Sequence, residues 1–493
     1  MTLDEATLSQ NRAADPDMAT WLSANAGSGK TRVLTDRVAR LLLNKVPPQN
    51  ILCLTYTKAA ASEMQNRLFK RLGDWALKPD GALAQELHRM GATDVTSPDR
   101  LAEARRLFAR AIETPGGLRI QTIHSFCASL LRRFPLEAGV SPSFVEMDDR
   151  SAQRLRQDVV EAMATGPQVD AVDAVAALYS GEDLDGLTQA IVGRQESLSQ
   201  PLDRAEVMRL FDCPANLTPE GLLDDVFDGN EADLMTSVVQ RLRESTKSND
   251  QKDAEKLAAL NWNVPNMALL EACFERFLYG EKAKAPFGAK TDRFPTKDCK
   301  AAMGSLADDL DALMERVQDA RPLFVALQAV ERADALHRFS AAFLPAYEAR
   351  KLAHGWLDFD DLILKTRHLL SDPVVADWVL YRLDGGLDHI LVDEAQDTSP
   401  VQWQVIEKLA QEFTSGVGAR DDKLRTIFVV GDKKQSIYSF QGADPQAFDR
   451  MQAEFGDRLR ASGGHLEDLT LEFSFRSAQS ILRLVDLVFD GKA

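Results

Sequence analysis

Ala24-Asn25-Ala26-Gly27-Ser28-Gly29-Lys30-Thr31 is the stretch that decides how this chain is read. An apolar run containing Trp21 and Leu22 precedes it, and Val33, Leu34 and Val38 follow at helical spacing. A strand, a Gly-rich turn and a helix in that order form the context of a phosphate-binding P-loop. Gly27 and Gly29 let backbone N–H groups turn toward phosphate oxygens. Lys30 places a charge on the β/γ-phosphates, and the Thr31 hydroxyl is a ligand for Mg²⁺. With Arg32 in the first helical turn, Ala24 to Arg32 is the expected nucleotide-binding set. Its first position is Ala24, where the usual pattern has Gly. The plain alternative is an incidental Gly-rich turn.

A P-loop demands an acidic site at the end of another strand. Ile390-Leu391-Val392-Asp393-Glu394 meets it, with three apolar residues and then two carboxylates. Asp393 is the expected Mg²⁺ ligand, and Glu394 the group that orients and deprotonates an attacking water. Standing alone, the same pattern reads as a solvated strand end. A third strand, Val429-Val430-Gly431-Asp432, runs into Lys433, Lys434, Gln435, Ser436, Ile437, Tyr438, Ser439 and Phe440. Gln435 is placed to sense a γ-phosphate. Tyr438 and Phe440 fit two readings: faces for unpaired bases, or two aromatics in a core.

The 493 residues carry 58 Lys+Arg against 75 Asp+Glu, a net charge of −17. That length predicts two to four domains. The acidity argues against coating nucleic acid through bulk charge but allows local contacts. No apolar run approaches a membrane span, and MTLDEATLSQ has no apolar signal core. The five cysteines are odd in number and scattered without a C-x-x-C pair. Neither zinc nor a disulfide framework is expected, and a reducing cytoplasm is.

Three textures divide the chain. Residues 18–72 alternate strand-like runs with helices, the rhythm of a parallel sheet, with Met64, Leu68 and Leu72 as one helix's core face. From about 145 to 350 the pattern is polar and helical, with loops such as STKSNDQKDAEK and YGEKAKAPFGAKTDRFPTKDCK. Strand signals return from 388. The middle is expected to be a helical insertion into one sheet, and HLEDLTLEFSFRSAQSILRLVDLVF to begin a further domain.

Taken in order, these pieces resemble the UvrD/Rep-type superfamily 1 DNA helicases. Gln10 sits where that family's Q motif reads adenine. Thr55-Tyr56-Thr57-Lys58-Ala59-Ala60 looks like motif Ia and Gln121-Thr122-Ile123-His124-Ser125-Phe126 like motif Ib, both of which line the single-strand path. Asp358-Phe359-Asp360-Asp361-Leu362 resembles the lead into motif II, Asp393-Glu394-Ala395-Gln396-Asp397. Gly431-Asp432 with Gln435-Ser436-Ile437-Tyr438 resembles motif III, and Phe475-Arg476-Ser477 motif IV. The long stretch between Pro135 and Trp356, with SANAGSGKT, FPLEAGV and KKQSIYSFQGADP, looks most like AddA of the alphaproteobacterial type. AddA is the helicase–nuclease component of a bacterial double-strand-break repair complex.

The resemblance implies an α/β fold: a P-loop, RecA-like parallel-sheet motor domain interrupted by a mostly helical insert. Motor domain 1A would take 1–75, 117–145 and 350–445, insert 1B would take 76–116 and 146–349, and 446–493 would open an incomplete domain 2A. It implies ATP and Mg²⁺ as cofactors. The implied partners are single-stranded and double-stranded DNA and an AddB-like partner subunit. The implied activity is ATP-driven 3′→5′ translocation on single-stranded DNA. Tyr56, Thr57, Lys58, His124, Tyr438 and Phe440 would hold the strand, with Phe475 against the adenine and Arg476 as an arginine finger. For His124 the alternative is a satisfied core histidine, and for Arg476 a surface ion pair. Two departures are Gln441, where many relatives have Arg, and the lack of counterparts to motifs V and VI and to a nuclease domain. A nucleotide-gated binding module that hydrolyses little therefore stands as the rival reading.

Overall fold

The computed structural model describes residues 4–25, 27–114, 117–179, 184–384, 387–411, 424–435, 444–475 and 477–489. The chain forms two compact units, Met1–Asp148 with Lys351–Ala493, and Asp149–Arg350.

In the first unit, eight strands follow one another among the described residues. They are β1 (Ala19–Ala24), β2 (Ile51–Thr55), β3 (Arg119–Thr122), β4 (Val145–Glu146), β5 (Trp356–Leu357), β6 (His389–Val392), β7 (Thr426–Gly431) and β8 (Leu466–Leu471). Six of them build one sheet in the order β3-β2-β6-β7-β1-β8, and every pairing is parallel. Parallel neighbours need crossover connections, so both faces of the sheet must be covered. The period of two along each strand then sorts its side chains into two cores. Trp21, Leu52, Leu54, Ile390, Val392, Ile427 and Val429 face one way. Leu22, Ala24, Cys53, Leu391, Phe428 and Val430 face the other.

The helices complete those two layers. Among the helices before residue 134 are α1 (Glu5–Ala13), α2 (Lys30–Leu43), α3 (Lys58–Leu77), α4 (Asp80–Arg89), α5 (Pro98–Glu113) and α6 (Ile123–Arg133). Helices α2 to α5 close the Leu22 face through Val33, Val38, Met64, Leu68, Leu72, Leu83 and Leu107. On the Trp21 face lie α6 and the helices Phe359–Leu369, Pro400–Ala410 and Pro445–Ala461. There the Trp21 ring stacks on Trp403 at 5.8 Å and meets Phe448 at 5.0 Å. This is the doubly covered parallel sheet of a RecA-like P-loop fold.

Two expected boundaries are corrected. Residues 446–471 do not leave this unit. Strand β8 pairs with β1 from Ala19↔Leu466 to Ala24↔Leu471, and Phe448 and Phe455 are buried beside Trp21. Without β8, β1 would present an unpaired edge beside the P-loop. Likewise 76–116 does not join the helical insert, because α4 and α5 bury Leu83, Leu87, Leu101 and Leu107 in the Leu22 core.

The chain departs for the second unit just after β4 and returns just before β5, and those two strands pair in parallel through Val145↔Trp356 and Glu146↔Leu357. The second unit is helical around its own core. Leu310, Leu313, Met314 and Val317, on the long helix Ser305–His354, pack with Val238, Leu242, Leu270 and Phe277. From Lys351 onward that helix belongs to the first unit. Lys351 is buried there, its Nζ 3.0 Å from Asp358 Oδ2 and 2.6 Å from Asp361 Oδ2. Asp358 and Asp361 also form the capping box of the helix Phe359–Leu369. Among the described residues no helix is long and apolar enough to cross a membrane.

Removing Trp403 should open a cavity beneath β1. Trp403→Ala is expected to cost about 3–5 kcal/mol of stability in urea unfolding. Val374→Ala, at a side chain 86% exposed, should stay within about 0.5 kcal/mol. Equal effects from the two would contradict this core.

Candidate nucleotide and nucleic-acid site

Strand order places the ends of β1, β7 and β6 side by side, and each end turns into a segment carrying polar or charged groups. Beyond β1, Gly27 and Gly29 both take positive φ, 77° and 92°. That left-handed region costs glycine little and other residues more. A Cβ on Gly29 would also lie 2.7 Å from Gln10 Nε2, so the loop closes over that side chain. Gln10 is buried and donates from Nε2 to the Ser28 carbonyl at 3.0 Å. Its Oε1 and the Ser28 hydroxyl are buried without a hydrogen-bond partner. Buried orphans of this kind normally find a partner. Lys30 and Thr31 open α2, and Arg32 is exposed, 3.7 Å from Asp36.

Beyond β6, Asp393 continues the sheet, its N–H donating to the Leu54 carbonyl at 2.9 Å. Glu394 then turns sharply, with φ 49°. Its Oε2 lies 2.8 Å from Lys30 Nζ, so the P-loop lysine and the second carboxylate of β6 form an ion pair. Burial, and then the Glu394 charge, push the Asp393 carboxyl up to about 7.

Sequence reasoning missed how these ends are joined. Gln396 Nε2 donates to Glu394 Oε2 at 2.9 Å, while its Oε1 accepts the Asp432 N–H at 2.8 Å. Asp432, just beyond β7, accepts from the side chain of Gln435 and, at 3.1 Å, from the Lys434 N–H. A continuous polar path therefore runs Lys30–Glu394–Gln396–Asp432–Gln435. The motif showed Gln396 and Asp432 as residues; nothing in it named their partners.

On the far side of β6, β2 and β3 end in the other expected contacts. Thr57 caps α3, its Oγ1 accepting the Ala60 N–H at 3.1 Å. Thr57 and Lys58 are exposed and Tyr56 is half-buried. His124, in the first turn of α6, is half-buried with its ring edge-on to Phe359 at 5.3 Å. Burial lowers the pKa of His124, and so does the Lys58 charge. Phe359, beside His124, is an exposed aromatic and therefore a further candidate, one that its place in Asp358-Phe359-Asp360 does not single out by sequence. Past β8, the Phe475 N–H donates to the Gly27 carbonyl at 2.8 Å, and its ring is exposed. Ala26, Tyr438, Phe440 and Arg476 lie outside the described residues.

The sequence profile of the UvrD/REP helicase N-terminal domain matches residues 6–456. The chain belongs to the UvrD/REP helicase family. It is similar to proteins whose name makes each of them one subunit of an ATP-dependent helicase/nuclease. The Enterococcus faecalis protein is 26% identical over 96% of this chain and 37% of its own length. For Latilactobacillus sakei the values are 26%, 98% and 54%. For Desulforudis audaxviator they are 28%, 95% and 38%. The chain thus spans about a third to a half of the length of these relatives.

ATP with Mg²⁺ fits the residues present in this UvrD/REP chain. Gly27 and Gly29 hold the loop in the left-handed region, Lys30 stands at the helix N-terminus, and the orphaned Gln10 Oε1 offers a buried acceptor. Thr31 and Asp393 supply hard oxygen donors. Two protein oxygens suit Mg²⁺, which keeps waters and phosphate oxygens as its other ligands.

Gly431 tests the packing under the polar path. A Cβ there would lie 2.6 Å from the Phe448 ring and 3.0 Å from Gln396 Oε1. Gly431→Ala should lower stability by about 1–3 kcal/mol, read from the urea midpoint. An unchanged midpoint would show that this approach is loose.

Proposed function

We propose that this chain is the ATP-hydrolysing front part of a helicase that translocates on single-stranded DNA. The observation that carries the reading is the Lys30–Glu394 ion pair at 2.8 Å, set between two strand-end motifs in a chain of the UvrD/REP family. Lys30 is in place to give up Glu394 for β/γ-phosphate oxygens. Glu394, released, is the base that orients and deprotonates water. Thr31 and Asp393 would hold Mg²⁺, which would supply positive charge to the phosphate oxygens. The loop Ala24, Asn25, Ala26, Gly27, Ser28, Gly29 and Arg32 surrounds the phosphates, with Gln10 and Phe475 at the base. Gln435 senses the γ-phosphate, and Arg476 is the finger that neutralises transition-state charge.

Gln396 and Asp432 support a link from that chemistry to DNA. A change at Glu394 reaches Gln435 through two hydrogen-bonded residues, and Gln435 directly precedes the segment bearing Tyr438 and Phe440. Two groups of contacts then hold the strand: Tyr56, Thr57, Lys58, His124 and Phe359 form one, and Tyr438 and Phe440 the other. A polarity of 3′→5′, a role in double-strand-break repair, duplex DNA as substrate, a partner of the AddB type and a cytoplasmic location complete the proposal. They rest on the resemblance and on the relatives' name.

ATP hydrolysis with and without single-stranded DNA tests the reading. Lys30→Ala should abolish nucleotide binding or turnover, whereas Glu394→Gln should keep binding and lose about 10²–10⁴ in turnover. Full hydrolysis in Lys30→Ala would reject the site. Nucleotide-dependent DNA affinity without turnover would favour a gated binding module instead. Tyr438→Ala should weaken single-strand affinity by about 1–3 kcal/mol, and an unchanged affinity would remove that residue from the path.

A further inference from the structure

The opposite edge of the sheet carries a group of arginines that the nucleotide chemistry does not use. Arg119 is the first residue of β3, paired with Leu52 of β2. Leu52 belongs to the core beneath α6, so Arg119 stands on the α6 face of the sheet. Helix α6 follows β3 directly and runs back along it, ending at Arg133 beside the start of the strand. Arg119 is half-buried, and among the described residues it has neither a hydrogen bond nor an ion pair for its guanidinium. Burial lowers its pKa, and the Arg133 charge adds to that.

Arg133 is exposed and reaches the next element. Its Nη2 donates to the Arg382 carbonyl at 3.2 Å, in the last turn of the helix Ala376–Asp384. The Arg382 guanidinium lies 5.8 Å from the Trp378 ring centroid. Trp378 leans edge-on against buried Phe134 at 5.3 Å and is still 46% exposed. The neighbouring carboxylate of Glu146 is engaged 2.9 Å from Arg132.

Among the described residues Arg119, Arg133 and Arg382 form no ion pair, and guanidinium groups left without a carboxylate are suited to take a bound oxyanion through forked hydrogen bonds. An exposed indole beside such a group adds a flat stacking face, the combination that single-stranded nucleic acid uses. We propose that Arg119, Arg133 and Arg382, with the exposed ring of Trp378, bind backbone phosphates and one base of single-stranded DNA at the sheet edge opposite the nucleotide crevice. The site lies at the start of β3, with β2, β6 and β7 between that strand and β1, and is a second contact, separate from the path past Lys58 and His124. It rests on the reading of this chain as a DNA-handling protein.

Binding of a labelled oligothymidylate of about 16 nucleotides, measured across a salt series, tests it. In the Arg119→Gln/Arg133→Gln variant the slope of log affinity against log salt should become less negative by about 1.4, or about 0.7 for each phosphate released. Trp378→Leu should weaken binding about five- to one-hundred-fold. Both variants should keep the affinity for a non-hydrolysable ATP analogue and the urea midpoint of the unaltered chain. If that chain binds the oligonucleotide and both variants match it in affinity and slope, this site is overturned while the wider reading stands. If the unaltered chain binds no oligonucleotide at any salt, both fall. Inorganic phosphate that binds the unaltered chain but not the double variant, with oligonucleotide affinity unchanged, would assign the site to free phosphate and overturn the DNA proposal. Loss of polyglutamate binding alone in these variants would overturn it in favour of an acidic protein segment.

Discussion

Parallel register at three strand ends is the constraint on which the rest depends. Ser23 of β1 lies opposite Gly431 of β7, and Val392 of β6 opposite Val429. With those pairs fixed, the P-loop, Asp393 and Asp432 emerge on one edge within reach of single side chains. A slip of one residue would turn Trp21 into the α2 layer and Leu22 toward Trp403, reversing both cores. The register is therefore held by large buried surfaces on both faces, and the short polar contacts of the site inherit a precision they could not supply themselves. Gly431 shows the coupling directly. It must be glycine because Phe448 and Gln396 both occupy the space a side chain would take, so core packing and the polar path meet at one residue.

The ion pair of Lys30 with Glu394 is best understood against that fixed frame. Isolated, a partly exposed pair contributes little to stability. Here its value is positional. Glu394 sits in the left-handed region, where a side chain other than glycine is uncommon, and it is tied both to Lys30 and to Gln396. A group that takes Lys30 away removes one of those ties and leaves the other, which leads to Asp432 and Gln435. Burial, and then the Glu394 charge, push the Asp393 carboxyl beside it up to about 7, because both disfavour its charged form.

What the sequence made legible follows from how local each signal is. The strand–glycine turn–helix of residues 19–43 and the apolar run ending in Asp393-Glu394 are self-contained, and the fold class came with them. The place of β8 was not legible. Its residues include Glu467, Asp468 and Thr470, the marks of an edge strand, and its partner β1 lies at the other end of the chain. Periodicity reports a strand, never its neighbour. Helices α4 and α5 were legible as helices for the same reason, but not as part of the Leu22 core. The Gln10 contact with the Ser28 carbonyl and the bridge made by Gln396 depend on loop conformation, which side-chain identity does not encode. Arg119 and Arg133 gave no signal because a strand and a helix separate them, and only the reversal between β3 and α6 brings them to one end.

The insertion also explains a buried charge that has no place in the nucleotide chemistry. Lys351, where the chain re-enters the first unit, meets Asp358 and Asp361 with almost no exposure. Buried pairs of this kind are weak sources of stability but costly to break by removing one partner. Their geometry suits a locating role, since Asp358 and Asp361 cap the helix that begins with Phe359, and Phe359 packs against His124. The chain thus returns from its long helical insert onto a charged pin, and that pin sets the first aromatic beside the expected strand path. In a chain of net charge −17, bulk charge argues against coating nucleic acid. The groups proposed for contact are few and act at short range, and fixing such groups is what a pin of buried charges, a closed core and a locked register accomplish.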